Sequence, residues 1–219
     1  MNATELHARL LARLASAGVA VAASEIDQLE AYYRLLRRWN ATINLTALLL
    51  EPLSDDALDR LFVEPLAAAK YVSEANADWV DLGSGGGSPA IPLKIMRPGL
   101  NLTMVEARER KAAFLREVAR ELNLTGTTVA TERFETLANR PDFAGLAALV
   151  TVRAVKVDSN LLRNGRRLLL PEGKLFLFGF HPGLDVTAFQ SAQAVELIPG
   201  GSPDLLILSV GVENVPRET

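Results

Sequence analysis

One stretch near the middle of the chain, residues 78–89, constrains the fold more than any other. It has the pattern of a short apolar strand, a turn with four glycines in five residues, and a helix start. Because glycine has no Cβ, the turn can bend sharply and its backbone can approach a ligand closely. Ser88 is predicted to cap the following helix, and Pro89 suits that helix's first turn. The sequence therefore predicts a strand–loop–helix unit that binds a ligand at the loop.

An acidic residue at the end of the next strand narrows the kind of ligand. The apolar run 100–105 ends at Glu106, where nucleotide-binding α/β folds place a carboxylate that binds the ribose. From Gly83 to Gly87 the spacing is G-x-G-x-G, not the G-x-G-x-x-G pattern that holds a pyrophosphate. This combination favours S-adenosylmethionine as the cofactor. The alternative is a tight strand–helix connection without a ligand, for which four glycines would be entropically expensive.

Composition excludes several classes of protein. The chain of 219 residues has no cysteine, which rules out disulfides, thiolate metal sites and cysteine nucleophiles. The two histidines, His7 and His181, argue against a multi-histidine metal centre, and we expect no bound metal. No apolar run approaches the roughly 20 residues that span a bilayer. We therefore expect a cytoplasmic monomer with no membrane partner.

The first third of the chain has a helical pattern that differs from the rest. It shows no independent core pattern, so we predict a helical N-terminal cap, residues 1–75, packed on a methyltransferase-type domain formed by residues 76–219. The predicted helices of the cap cover residues 4–17, a stretch from the N-cap Ser24 to a break at residues 40–46, and residues 55–74 with a bend or restart near Pro65.

Residues 76–219 predict an α/β fold with a seven-stranded, mostly parallel sheet. Five strands alternate with helices, a pattern that places parallel strands between two helical layers. Two short apolar runs then follow with a Gly-Gly-Ser-Pro turn between them, which predicts a terminal antiparallel hairpin. The predicted strands cover residues 79–82, 100–105, 127–131, 146–152, 174–178, 195–199 and 205–210.

Four segments, in order along the chain, resemble the RsmG (GidB) family of methyltransferases. Residues 39–47 are similar to its W-N-x-x-x-N-L-T-A segment, and residues 81–93 to its D-x-G-[ST]-G-x-G-x-P-G-[IL]-P-L loop. Residues 110–116 look like its K-[KR]-x-x-F-L-R helix, and residues 152–155 like its S-R-A-[VF] segment. The resemblance implies a Rossmann-like methyltransferase domain with a helical cap. It also implies methylation of a guanine N7 in 16S ribosomal RNA with S-adenosylmethionine, so the expected partner is that RNA or the small ribosomal subunit.

The resemblance also implies roles for individual residues. Phe134 would lie beside the adenine of the cofactor, although a hydrophobic plug under the sheet edge explains it equally well. Asn44 and Arg153 are the candidate catalytic residues, because they could hold the target nucleotide. For Arg153, the alternative is a solvated arginine at a strand end. The predicted cofactor-binding residues are Gly83, Ser84, Gly85, Gly87, Ser88, Glu106, Phe134, Glu135 and Arg153.

The chain departs from the family pattern at three places. Residues 61–66 read Leu-Phe-Val-Glu-Pro-Leu where the family commonly has H-x-x-D-S-L. Ala90 replaces a glycine after the loop proline, and Phe178-Gly179 falls where the family usually has a lysine. These departures keep two alternatives open: a methyltransferase of the same fold with another substrate, and a non-catalytic RNA- or ribosome-binding relative. A nicotinamide oxidoreductase would need a second phosphate-binding half, which the sequence does not show.

The chemistry implied by the resemblance needs no general base. Guanine N7 carries an in-plane lone pair and is already a hydrogen-bond acceptor, so no proton has to be removed. Two basic groups are candidates for phosphate contacts, and the alternative for each is an ordinary helix surface. We predict that both lie on the same side of the molecule as residues 83–87. The groups are Arg34, Arg37 and Arg38, and then Arg153, Lys156, Arg163, Arg166 and Arg167.

Overall fold

A seven-stranded sheet forms the centre of the computed structural model, which describes residues 3–72, 76–179 and 183–211. Its strands are β1 (Asp78–Leu82), β2 (Asn101–Val105), β3 (Thr127–Ala130), β4 (Ala147–Arg153), β5 (Leu169–Phe178), β6 (Ser191–Val195) and β7 (Leu205–Ser209). They lie in the order β3-β2-β1-β4-β5-β7-β6. The first five in that order are parallel, whereas β7 runs antiparallel to β5 and β6 antiparallel to β7. The predicted mostly parallel sheet with a terminal antiparallel hairpin is confirmed.

Helices cover both faces of this sheet. They are α1 (Ala3–Ser16), α2 (Ala23–Ile43), α3 (Asp55–Leu58), α4 (Glu64–Ala68), α5 (Ala90–Met96), α6 (Glu109–Glu121), α7 (Phe134–Ala138) and α8 (Ser159–Leu168). No helix among the described residues is long and apolar enough to cross a membrane.

The side chains of β1 point alternately to the two faces of the sheet and enter two separate apolar cores. Trp79 points into a core that α5 and α6 share with the helices preceding β1. Val80 and Leu82, on the other face of the strand, belong to a second core with residues of α7 and α8. Because successive strand residues point to opposite faces, a strand covered on both sides is apolar almost throughout. The helices assigned to the cap therefore pack on the α5 and α6 face of the sheet.

The third helical stretch is interrupted directly before Pro65, in agreement with the predicted bend or restart near that residue. α3 continues into a π-helical turn, Asp59–Val63, and then into α4 and a 3₁₀ turn, Ala69–Tyr71. Pro65 lies in the first turn of α4, directly after the π-helical turn, where its missing N–H is tolerated. The predicted end of this helix at residue 74 lies outside the described residues.

The start of α2 was predicted wrongly, whereas its end falls within the predicted break. The helix begins at Ala23, because the Glu25 carboxylate accepts a hydrogen bond from the Ala22 N–H at 2.5 Å and fixes the start. At its other end it stops at Ile43, within the predicted break at residues 40–46. Asn40, which lies within the last turn of α2, stabilises the end of the helix. Its side-chain oxygen accepts from the N–H groups of Leu45 and Thr46, just beyond the helix, at 2.7 and 2.9 Å.

Two strands differ from their predicted bounds by more than one residue. β5 begins at Leu169 rather than Lys174, because the predicted turn at residues 171–173 is an irregularity within the strand, where its register with β4 shifts. β6 covers Ser191–Val195 instead of residues 195–199. Four of its five residues are exposed, as is common in an edge strand, so apolar periodicity did not reveal it.

Candidate active site

A cavity of about 820 Å³ opens at the carboxyl ends of β1, β2 and β4. Strand order reverses at β1, and crevices at such points bind ligands in α/β sheets. Five residues after β1 form what we name the loop wall: Gly83, Ser84, Gly85, Gly86 and Ser88. Nine residues before β1 form the cap wall: Leu45, Thr46, Ala47, Leu48, Leu49, Ser54, Asp56, Arg60 and Leu61. The remaining lining residues are Glu106, Arg108, Lys111, Arg153, Ala154 and Val155.

The loop after β1 requires glycine at two positions. Gly83 has φ +72°, and a Cβ there would lie 2.5 Å from Cγ2 of Val155. Gly87 has φ +92°, and a Cβ there would overlap the side chain of Ile91. Other residues rarely adopt these left-handed conformations, and neither position has room for a side chain. The glycines therefore fix the shape of the backbone that borders the cavity.

Glu106 holds the same loop from the end of β2. One carboxylate oxygen accepts from the Gly85 N–H at 3.0 Å, and the other accepts from the Arg108 N–H at 2.8 Å. The side chain is largely buried but lines the cavity. An ionised carboxylate has about four acceptor positions, so Glu106 retains capacity for ribose hydroxyls. Its position agrees with the predicted ribose contact, which stays a prediction.

Asp81 is a buried carboxylate at the foot of the loop wall. One of its oxygens accepts from the Thr151 hydroxyl at 2.6 Å, and that hydroxyl accepts from the Trp79 indole N–H at 2.8 Å. Its other oxygen, Oδ2, is buried with no hydrogen-bond partner among the described residues. Burial raises the pKa of Asp81 to about 6, and the hydrogen bond from Thr151 opposes this rise. Our site prediction missed this residue, although an acid within an apolar strand was a visible signal.

Arg153 lies almost buried at the end of β4, with 9% of its side chain exposed. Its guanidinium forms an ion pair of 2.5 Å with Glu64, donates to the Arg60 carbonyl, and lies over the Phe178 ring, 4.5 Å from its centre. Burial lowers the pKa of Arg153 and raises the pKa of Glu64, and the opposite charge of each partner counters the shift. The alternative of a solvated arginine is therefore wrong.

Two side chains connect the loop to elements that precede β1. Tyr32 on α2 donates to the Gly86 carbonyl at 2.6 Å, and burial raises its pKa, so the phenol remains a donor. The Ser88 hydroxyl lies 3.1 Å from the carbonyl oxygens of both Arg60 and Leu61. Ser88 was predicted to be the N-cap of α5, but Pro89 occupies that position. The Ser88 hydroxyl instead binds the two carbonyls before β1. Tyr32 was missed because an aromatic residue at helical spacing looks like any core residue.

Known proteins resemble this chain over most of its length. The model of the family described as rRNA small subunit methyltransferase G (GidB) matches residues 25–193. The protein named ribosomal RNA small subunit methyltransferase G in Paracoccus denitrificans is 38% identical over 190 residues, covering 85% of this chain and 94% of that protein. Its namesake in Ectopseudomonas mendocina is 33% identical over 217 residues, covering 95% and 98%. This chain belongs to the rRNA small subunit methyltransferase G family.

Solved structures of low sequence identity share the architecture. A mutant of MtNAS in complex with S-adenosylmethionine has a TM-score of 0.54 at 17% identity, covering 81% of this chain and 72% of that chain. A precorrin-6y C5,15-methyltransferase from Geobacter metallireducens has a TM-score of 0.50 at 16% identity, covering 68% and 88%. At such identities the likeness shows the fold alone, and it confirms the Rossmann-like methyltransferase architecture. The family match confirms the predicted membership and, with it, the prediction of an rRNA methyltransferase.

The structure brings together six of the ten residues predicted for the site of this family member. Gly83, Ser84, Gly85, Ser88, Glu106 and Arg153 line the cavity. The other four, Asn44, Gly87, Phe134 and Glu135, do not line it. Asn44 is the exposed C-cap of α2, and Phe134 begins α7 and packs against the second apolar core, as in the alternative interpretation. Their functional roles stay predictions.

The departures from the family pattern are accommodated in the structure, and two of them meet at Arg153. Glu64, at the position of the family's aspartate, supplies the carboxylate of the ion pair. Phe178, near the position of the usual lysine, supplies the ring beneath the guanidinium. Ala90 is fully buried as the first residue of α5. Across the part of the chain that the structure describes, no group of three or more acidic and histidine side chains could hold a metal.

The two predicted basic groups differ in their surroundings. On α2, Arg34, Arg37 and Arg38 each face an acid, respectively Glu30, Glu51 and Glu117. From the second group, Arg153 lines the cavity, whereas Arg163, Arg166 and Arg167 line a separate groove of about 630 Å³ along α8. α2 and α8 cover opposite faces of the sheet, and of the two groups only Arg153 lines the cavity beside residues 83–87, so the prediction that both groups lie on the side of this loop stays a prediction.

Proposed function

We propose that this protein transfers a methyl group from S-adenosylmethionine to N7 of a guanine in 16S ribosomal RNA. The observation that carries the proposal is the glycine-lined cavity at the end of β1, bordered by the cap, in a member of the rRNA small subunit methyltransferase G family. The proposal includes a cytoplasmic monomer that acts without a metal. In it, the cap of residues 1–75 and the methyltransferase domain of residues 76–219 act together on the RNA.

The residues at the cavity fit the cofactor. The cavity's volume of about 820 Å³ lies within the range of small-molecule sites. The loop glycines allow close approach to the backbone, and Glu106 retains acceptor capacity for ribose hydroxyls. When bound, the cofactor supplies an electrophilic methyl group on a positively charged sulfur.

The remaining task of the protein is to position the guanine. Since N7 has a free in-plane lone pair, no side chain has to remove a proton. Catalysis then depends on holding the base in line with the methyl group, a contribution that alone can lower the barrier by several kcal/mol, roughly 7–11 at the upper limit. Arg153 and the cap wall border the cavity where the base would enter. They are therefore the candidates for holding it.

The groove along α8 is the candidate for contacts with RNA phosphates, which supply most of the affinity in such complexes. Arg163, Arg166 and Arg167 line it, above an apolar floor that includes Leu162. Asp185 is the one acid among the described residues that line this groove. Its carboxylate already accepts from the N–H and hydroxyl of Thr187 at 3.0 and 2.8 Å. Arg163 and Arg167 have no acidic partner among the described residues, whereas each of the three arginines on α2 faces an acid.

The decisive experiment is methyl transfer to small ribosomal subunits from a strain that lacks the modification. Labelled S-adenosylmethionine should yield labelled 16S RNA, and mapping should place the label on N7 of one guanine. Naked 16S RNA, assayed in parallel, shows whether the intact subunit is required. Label on another RNA or another atom would contradict the proposal.

One observation favours a second candidate, a methyltransferase of the same fold with another substrate. Residues 61–66, where the chain departs from the family pattern, border the cavity through Leu61 and carry Glu64. The same labelling experiment with total cellular RNA separates the two candidates, because it would mark a different RNA. A non-catalytic relative would show no heat when S-adenosylmethionine is titrated into it.

The contribution of the α8 groove is tested by paired double variants. R163A/R167A removes two groove charges, and we expect RNA affinity to fall about tenfold and the salt dependence to lose a slope of roughly 2. R37A/R38A removes the same charge from α2 and should leave RNA affinity within about twofold. Binding is measured by fluorescence anisotropy at several salt concentrations. Equal losses in both variants would contradict a specific role of the groove.

A further inference from the structure

A buried ion pair joins the cap to the end of β4. Glu64 and Arg153 are 89 residues apart in sequence, yet their side chains meet at 2.5 Å with 12% and 9% exposed. Asp59 lies in the same helical run as Glu64 and forms a second ion pair, with Arg13 of α1. That pair is more exposed, at 34% for Arg13 and 15% for Asp59. The Glu64–Arg153 pair is thus withdrawn from water and lies beside the cavity.

The Arg153 guanidinium is held on three sides. Glu64 binds one terminal nitrogen, the Arg60 carbonyl accepts from the other, and the Phe178 ring lies beneath the plane at 4.5 Å. Its Nε is buried and has no acceptor among the residues described. A planar guanidinium with these contacts has little freedom to rotate. The charge therefore has a fixed place at the edge of the cavity.

The same part of the cap also binds the loop wall. The π-helical turn Asp59–Val63 presents the Arg60 and Leu61 carbonyls to the Ser88 hydroxyl, at 3.1 Å each. Arg153 also donates to the Arg60 carbonyl. Donors from the loop wall and from the end of β4 therefore converge on one oxygen of the cap. π-Helical turns within α-helices occur frequently at functional sites.

Stability alone explains this ion pair poorly. Removing two charges from water costs several kcal/mol per ion by general estimates, so a buried pair often contributes little net stability. Burial opposes the charged form of both partners, since it lowers the pKa of Arg153 and raises the pKa of Glu64. What the pair provides is a defined position for the guanidinium.

We infer that Glu64 is a positioning residue for methyl transfer, which holds the Arg153 guanidinium at the cavity and links the cap wall to the loop wall. The inference rests on the proposed function, because it concerns the same reaction at the same cavity. It gives the residue that departs from the family pattern a role in that reaction.

Three variants test the role of Glu64. E64Q keeps the size of the side chain and removes its charge, so Arg153 loses its fixed position. We expect kcat for methyl transfer to fall about tenfold or more, because a small misplacement of a positioned group is costly. The Kd of S-adenosylmethionine should change less than about threefold, since the loop wall is intact. E64D keeps the charge and should recover part of the lost kcat.

D59N is the matched control, because it removes an acid of another Arg ion pair in the same helical run. Assays are run well below the unfolding temperature of each variant. D59N should keep kcat within about twofold of the wild type, since it leaves Arg153 untouched. If kcat fell as much in D59N as in E64Q, Glu64 would only stabilise the cap, and the inference would be overturned. A wild-type kcat in E64Q would also overturn it.

A measurement without turnover separates this inference from the proposed function. Hydrogen exchange of the Arg153 side-chain N–H groups, followed by NMR, should be slow in the wild type and in D59N and fast in E64Q. Equal protection in all three proteins would overturn the positioning role. If the wild type transfers no methyl to small-subunit RNA, the proposed function fails, while the exchange data still report whether Glu64 fixes Arg153.

Discussion

The two walls of the cavity are built in different ways. The loop wall is backbone in conformations that glycine permits, anchored to the end of β2 through Glu106. The cap wall contains no glycine, and its residues come from the segment after α2 and from a helical run interrupted by a π-helical turn. A backbone wall keeps the shape that the sheet imposes, whereas the shape of the cap wall depends on packing between distant segments. We therefore expect changes at the loop wall to alter cofactor binding and changes at the cap wall to alter transfer.

Replacing Gly83 by alanine should have the largest effect on the loop wall. The added Cβ would lie 2.5 Å from Cγ2 of Val155, at φ +72°. Strain and overpacking together should cost roughly 2–5 kcal/mol of unfolding free energy, and cofactor affinity should fall by more than about tenfold. Urea unfolding and titration calorimetry with S-adenosylmethionine measure the two effects.

Gly145→Ala is the control for this change. Gly145 has a similar φ of +65°, but a Cβ there meets nothing within 4 Å. It should cost roughly 1–2 kcal/mol from backbone strain, with cofactor affinity unchanged. If both variants bound the cofactor as the wild type does, the shape of the loop wall would not determine binding.

Asp81 should make stability depend on pH at the foot of the loop wall. Burial raises its pKa to about 6, whereas in the unfolded chain it is roughly 3.9. Between these values the native state binds more protons, so the contribution of Asp81 to the unfolding free energy falls as pH rises. Asparagine does not titrate, so the unfolding free energy of D81N should rise relative to the wild type by up to roughly 3 kcal/mol from about pH 4 to about pH 7. Urea unfolding across that range checks this, and a difference that stays constant would show that Asp81 titrates normally.

The smallest effect is expected where the cap contacts the loop wall. Tyr32→Phe removes the hydrogen bond to the Gly86 carbonyl and should cost about 1–2 kcal/mol of unfolding free energy. Cofactor affinity should fall about threefold, because the loop loses a support but not its backbone shape. Tyr33→Phe removes the neighbouring hydroxyl, which donates to the Leu50 carbonyl at 2.7 Å, away from the loop. Tyr33→Phe should lower the unfolding free energy by a similar amount without changing cofactor affinity. An equal loss of cofactor affinity in both variants would show that the hydrogen bond to Gly86 has no specific role in binding.

The predictions succeeded where a residue type has one physical explanation. Gly83 lies at positive φ, as the loop pattern required, and Glu106 reaches the loop from the end of β2. They failed where a side chain had several possible partners. Ser88 looked like a helix cap but binds carbonyls of residues 60 and 61. Tyr32 was missed because a hydrogen bond between residues 54 positions apart leaves no local trace in the sequence.

The helical part before β1 shows the same division. Apolar spacing located its helices, but Asn40, expected within a break, ends α2 through bonds to Leu45 and Thr46. The π-helical turn before Pro65 was not foreseen, because a proline signals only that a helix is disturbed there and not how the helix responds.

By itself, the sequence determined the alternating sheet and the glycine loop, since apolar periodicity and the absence of Cβ act locally. It also carried the family motifs that led to the proposed substrate. The tertiary structure alone decided that Glu64, Arg153 and Phe178 meet beside the cavity, and that Tyr32 supports the loop. It likewise decided that acids face the arginines of α2, while those of α8 line an open groove. Such contacts join residues far apart in the chain, and they depend on packing that no local pattern encodes.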